Sequence, residues 1–230
     1  MLALKNIEIV QGDFRLTADI ELQSDQTTAI LGPSGGGKST LLTALAGFVA
    51  HSGDIFWRGK SLKALAPADR PVSMLFQEHN LFPHLSITQN VGLGLRPDLK
   101  LSAAEKAKVE TALNRVGLAG KGASLPRALS GGQRQRAALA RALLRQKPIW
   151  LLDEPFAALG PGLRQEMLEL VEEIRAEQGA TLLLVTHAPE DAKRIASEVV
   201  FVEAGQAHPA QATGPFFAHP SSALRAYLGN

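Results

Sequence analysis

The chain has 230 residues, 45% hydrophobic and 20% charged, with 24 basic against 22 acidic side chains and a formal net charge of +2. That is enough chain for one large domain carrying a subdomain, and the charge is too balanced to argue for a polyanionic partner. There is no cysteine, which excludes disulfides, thiolate chemistry and cysteine-bound zinc. The most apolar runs, 149–152 and 181–185, fall far short of a bilayer span of about 20 residues. Glu8 interrupts the N-terminus before any sustained apolar stretch, which argues against a secretory leader. Any membrane role is therefore expected to pass through a partner.

Apolar and polar residues alternate over 4–10 and 14–22, predicting two edge-like strands joined at Gly12-Asp13. A third strand over 27–31 runs directly into a glycine-rich segment. The helical spacing of Leu41, Leu42, Leu45 and Ala46 follows, and Gly47 is placed to end that helix. Short strands are expected over 54–57 and 72–76. From about 77 to 147 the texture becomes helical, with one amphipathic helix over 103–116, opened by Ser102 and Glu105 as a capping box, and another over 132–144. Alternation then resumes: strand 149–153, helix 161–177, strand 181–186, helix 190–196 and strand 199–203. In the tail, 205–230, only 221–228 reads as helical. Strand and helix in succession predict an α/β fold with a mainly parallel sheet covered on both faces. A single domain over 1–230 is expected, with the helical stretch as an insert.

Gly32-Pro33-Ser34-Gly35-Gly36-Gly37-Lys38-Ser39 fits the P-loop pattern, and it stands where the pattern has physical meaning, after a strand and before a helix. Glycines allow a tight loop whose amides point at phosphate oxygens, and the first turn of the helix adds its dipole. Lys38 is expected to reach the β- and γ-phosphates, Ser39 to ligate Mg²⁺, and Thr40 to assist near the α-phosphate. The segment points to a nucleoside triphosphate without saying which machine uses it.

Two consecutive acids, Asp153 and Glu154, end the apolar run 149–152. A core strand seldom carries two carboxylates unless it meets solvent or an ion there. Asp153 is expected to hold Mg²⁺ through water, and Glu154 to orient or deprotonate the attacking water. Leu129-Ser130-Gly131-Gly132-Gln133 opens another helix and makes a second anion site. One triphosphate does not need two cradles from one domain, but two chains facing head to tail would each close the other's nucleotide.

From about Leu2 to Glu203 the sequence resembles the ABC ATPase family. The resemblance rests on five elements in the family's order: Gly32–Ser39, Gln77, Leu129–Gln133, Asp153-Glu154 and His187. It implies an ATP-hydrolysing subunit in which Ser130, Gly131, Gly132 and Gln133 contact the partner's nucleotide. It further implies that Gln77 contacts Mg²⁺ or the attacking water and that His187 holds the γ-phosphate. Taken alone, Gln77 reads equally as a solvated turn residue and His187 as a cap on the following helix. Phe14 matches the aromatic residue that stacks on adenine in the family, and it also suits the core of the first hairpin. One position departs from the pattern. Gly160 stands where the family has an aspartate tying one subunit to the other's site, and Ala157 stands where it has serine, so altered coupling between the two sites is expected.

The wording over 70–95 and 163–168 is most similar to the ATPases of bacterial thiamine importers, while spermidine, iron and sugar importers share parts of it. This implies a homodimer of ATPase subunits at the cytoplasmic face of the inner membrane. The dimer would work with an integral membrane permease and a periplasmic solute-binding protein. The permease would contact the region near 77–90, where Phe76, Leu81, Phe82 and Leu85 could supply apolar surface or could pack the insert on the sheet. A soluble family member acting on nucleic acid would need a basic arm, and no run of about five Lys or Arg occurs.

Overall fold

The alternation at the N-terminus forms a hairpin in the computed structural model, which describes residues 1–76 and 81–229. Strands β1 (Leu2–Gln11) and β2 (Phe14–Leu22) pair antiparallel, with Gln11 opposite Phe14. In β2 every second residue from Leu16 to Leu22 is buried, so a single face meets the core. The expectation of an edge position fails for both, because β4 (Ser52–Trp57) pairs on the other side of β1 and Gln206–Ala207 on the other side of β2. Between β2 and β4 in the chain come β3 (Thr27–Leu31) and α1 (Lys38–Leu45), the latter followed by Gly47 at φ 88°. Strands β5 (Lys60–Ser61) and β6 (Val72–Leu75) follow.

Helices α2 (Ile87–Gly92), α3 (Ala103–Arg115) and α4 (Gly131–Leu144) come next, opened by capping boxes at Ser86, Ser102 and Ser130 respectively. The chain continues through β7 (Ile149–Asp153), α5 (Pro161–Gln178), β8 (Thr181–Val185), α6 (Pro189–Ile195) and β9 (Glu198–Glu203). The tail differs from expectation. Beyond α8 (Ser222–Leu228) it contains β10 (Gln206–Ala207), β11 (Gln211–Ala212) and α7 (Thr213–Ala218). Two-residue strands and a six-residue helix are too short to display a period, so their signal comes only from the surface they land on.

The strands join in the order β5-β4-β1-β2-β10-β9-β3-β8-β7-β6, with β11 also on β9. The five strands β9, β3, β8, β7 and β6 are parallel, whereas β10 runs parallel to β2 and antiparallel to β9, welding the hairpin layer to the parallel sheet. β3, β7 and β8 are buried at every position, as strands covered on both faces must be. One core lies between the hairpin layer, α1 and one sheet face, including Leu16, Leu42, Leu151 and Val200. A second joins Trp150, Leu152 and Leu184 of the other face to α2, α3, α4 and α5. A smaller third holds Leu31, Phe201, Phe216 and Leu224 under the tail helices.

Register places the functional ends. Ile30 lies opposite Val185, and Val185 opposite Asp153, so β3, β8 and β7 finish level with one another. The loops leaving their carboxyl ends open on one side of the sheet, where open α/β folds bind ligands. Among the described residues, no helix is long and apolar enough to cross a membrane.

Candidate active site

The loop after β3 adopts backbone angles that only glycine holds easily. Gly32, Gly35 and Gly37 lie at φ 144°, 77° and 107°. A Cβ on Gly32 would stand 1.9 Å from the Val202 carbonyl oxygen, so the loop also needs glycine to lie against β9. The Lys38 side chain is buried and donates to the Gly32 and Pro33 carbonyl oxygens, both at 2.8 Å. Burial lowers its pKa, and the nearby Glu154 and Asp153 carboxylates act against that change. The ammonium group thus curls into its own loop, beside backbone amides and opposite the acids.

Asp153 is 4% exposed, and its Oδ1 makes no hydrogen bond among the described residues. Burial raises its pKa, with the Ser39 hydroxyl acting in the opposite direction. A buried carboxylate oxygen left without a donor is an acceptor placed for a cation. Mg²⁺ retains water and phosphate oxygens and needs only one or two protein ligands. Ser39 and Asp153 therefore fit a magnesium ion held mainly by phosphate.

Glu154 sits at φ 50°, an uncommon angle for a side chain with a Cβ, while its amide still donates to Val185 O at 3.1 Å. Its Oε1 meets His187 Nε2 across the loops that leave β7 and β8. A cavity of ≈ 530 Å³ is lined by Gln11, Phe14, Ser34, Gly35, Gly37, Lys38, Ser39, Thr40, Glu154 and His187. The hairpin, the glycine loop, the acid and the histidine therefore share one site. Phe14 packs on the first core and also lines this cavity.

The segment expected to form a second anion site lies elsewhere. Ser130 is exposed, its Oγ accepts from Gln133 N at 3.2 Å, and Gln133 Oε1 accepts from Ser130 N at 3.0 Å. None of Ser130, Gly131, Gly132 and Gln133 lines the cavity. Gly132 instead lies against Leu159, where a Cβ would approach the leucine side chain to 3.0 Å. Gln77 lies outside the described residues.

Three supports escaped the sequence reading. Gln135 on the buried face of α4 donates to Glu154 O at 3.1 Å and accepts from Ala158 N at 3.2 Å, bracing the turn after the acid. Asp191 is buried and takes Arg164 Nε at 2.9 Å and the Thr186 hydroxyl at 2.6 Å, which ties α5 to the strand end before His187. Asn90 of α2 holds Phe82 through both backbone groups, at 2.7 and 3.0 Å. A polar residue at helical spacing among apolar ones was the available signal for Gln135. Arg164 and Asp191 are too far apart in sequence to give one.

The fold and the cavity define a P-loop nucleotide-binding cassette, and the family comparison agrees. The ABC transporter family model matches residues 17–157, and the chain belongs to the ABC transporter family. Its relatives include "Thiamine import ATP-binding protein ThiQ" of Cereibacter sphaeroides, 57% identical over 230 residues with 100% of both chains covered. The protein of the same name from Ruegeria sp. is 51% identical, again over 100% of both chains. A solved dimeric ATP-binding cassette, in a post-hydrolysis state bound to ADP and Pi, superposes with a TM-score of 0.82. It is 27% identical, and 93% of this chain and 99% of that one are covered.

Proposed function

We propose that this chain is the ATP-hydrolysing subunit of an ABC importer and that the cargo is thiamine. The observation that carries the enzymatic part is the meeting of Lys38, Ser39, Glu154 and His187 around one cavity at the level ends of β3, β7 and β8. The cargo is inferred from the relatives' names, since an ATPase subunit of this kind does not itself enclose the solute.

In this reading Lys38 leaves the loop carbonyls for the β- and γ-phosphate oxygens, and the amides of Ser34–Thr40 take the rest of the triphosphate. Phe14 offers a ring face to adenine. Ser39 and Asp153 would hold Mg²⁺ with Gln77, and the ion would neutralise charge on the β- and γ-phosphates. Glu154 accepts the proton of the water that attacks the γ-phosphorus, while ADP departs. His187 fixes the Glu154 carboxylate and faces the same phosphate. Ser130–Gln133 of a second copy would close the site, because the same residues of this copy do not reach it.

We place the dimer at the cytoplasmic face of a bacterial inner membrane, bound to a permease that takes solute from a periplasmic binding protein. Phe48 and Phe82, 58% and 46% exposed, suit the permease contact, and Phe48 packs on Phe76 at 5.6 Å between centroids. Leu81 instead packs on the helical core. Reconstitution with the permease and binding protein in vesicles tests the proposal. Mg²⁺-dependent ATP hydrolysis should drive uptake of labelled thiamine and not of iron, a polyamine or a sugar. Uptake of one of those in its place overturns the cargo, and no hydrolysis in the assembled complex overturns the enzyme.

A further inference from the structure

The tail helices reach the active-site loops through one side chain of α8. The Tyr227 ring packs edge-on to Phe201 of β9, with centroids 5.7 Å apart, and its hydroxyl donates to the His187 carbonyl oxygen at 3.2 Å. One turn back, Leu224 is 1% exposed and anchors the helix in the core that holds Leu31 and Phe201. Leu31 is the residue before the glycine loop. Burial raises the pKa of the Tyr227 hydroxyl, and a hydrogen bond with the Gly32 backbone opposes that rise. A phenol oxygen can donate once and accept as well. The tail core thus reaches, through one hydroxyl, the backbone of the histidine that holds Glu154.

We infer that Tyr227 is a positioning residue for hydrolysis, pinning the His187 backbone to the tail core around Phe201 and Leu224 so that the imidazole stays on Glu154. The inference rests on the reading of Glu154 and His187 given above. The hydroxyl acts through the histidine and touches neither phosphate nor water itself. Because the aromatic stack and the Leu224 anchor are independent of the hydroxyl, the two roles of the side chain can be separated.

Tyr227→Phe retains the ring and its contact with Phe201 and removes only the oxygen. The expected result is a fall in kcat for ATP of about 3- to 10-fold, the range that one neutral hydrogen bond spans. KM should stay within about twofold, because Lys38 and the loop amides still bind the phosphates. A general loss of packing would instead lower the melting temperature by more than the roughly 2–4 °C that one such hydrogen bond accounts for. Single-turnover hydrolysis in a His187→Ala background completes the test, and there Tyr227→Phe should cause no further loss. An unchanged kcat in Tyr227→Phe, or the same fold loss in both backgrounds, overturns the inference. Normal turnover in His187→Ala by itself removes the reading on which the inference rests, and the inference with it.

Discussion

Asp153 and Lys38 are both held under conditions that work against their charge. Burial raises the carboxyl's pKa and lowers the ammonium's, so each contributes a cost at neutral pH that a ligand of opposite charge can offset. The sign for Asp153 follows from linkage. Its folded pKa lies above the ordinary 3.8, so the native state binds the proton more tightly than the unfolded chain. The contribution to stability is complete below 3.8 and is lost as the pH rises through the raised folded value. Asp153→Asn does not titrate. At neutral pH it should melt higher than the parent in the absence of nucleotide, with the advantage shrinking as the pH falls towards 3.8, while Mg²⁺-dependent turnover drops. Glu154 remains to compensate Lys38 in this variant. Melting below the parent at neutral pH would mean that the buried carboxylate is a net stabiliser and not a site held ready for a cation.

At the level of elements, Gly160 is the clearest departure from the family pattern, and its geometry answers what substitution there would do. It is the N-cap of α5 at φ −67° and ψ 161°, with nothing within 4 Å of a built Cβ and no side-chain cap. An aspartate therefore meets no strain. It could accept from the orphan amides of the first helical turn, complement the helix dipole and restrict the unfolded chain. Gly160→Asp should stabilise the protein by about 1 kcal/mol, a rise in melting temperature of about 2–4 °C for a chain of this size. If the aspartate also restores a tie across the dimer, the Hill coefficient for ATP hydrolysis rises with it. A melting temperature at or below the parent's would contradict the cap argument, and the kinetics then carry the coupling question alone.

The same scale shows what was legible in the sequence. The parallel strands were readable because they are continuous apolar runs, and α3 and α4 because Ser102 and Ser130 announce them with Glu105 and Gln133 three residues later. α2 has the same signal at Ser86 and Gln89, yet its six residues supply too little periodicity beside it. The glycine loop and the paired acids were readable because their chemistry is local in sequence, whereas His187 stood out only through the family resemblance. Their supports were not. The Tyr227 hydroxyl meets His187 across 40 residues, and Glu198 of β9 takes the Thr28 hydroxyl across 170. Such contacts depend on the order of strands in the sheet, which periodicity does not encode.

For the whole molecule, the decisive fact is that the two segments proposed to bind phosphate, Gly32–Ser39 and Ser130–Gln133, do not share one cavity in a single chain. Lys38 and Glu154 line the cavity, while Ser130 stands exposed at the start of α4 and Gly131, Gly132 and Gln133 lie half-buried beside it, none of them in that cavity. Head-to-tail pairing of two copies would bring each Ser130–Gln133 segment onto the other's cavity and give two equivalent sites, as closed two-fold symmetry requires. The buried braces give this arrangement a path. Gln135 links the helix that Ser130 opens to the backbone of Glu154 in the same chain. Occupation of one site could therefore bear on the base of the other.

The most direct measurement is the mass of the Glu154→Gln variant in solution, with and without ATP and Mg²⁺. The amide keeps the shape of the side chain but cannot take a proton from water, so nucleotide should bind and persist unhydrolysed. Light scattering should show the mass doubling from 24.5 kDa when ATP is added, and reverting when it is removed. Labelled ATP should elute with the dimer at one nucleotide per chain. A variant that binds ATP yet stays at 24.5 kDa would contradict the shared-site account, and one that hydrolyses ATP at the parental rate would contradict the role of Glu154.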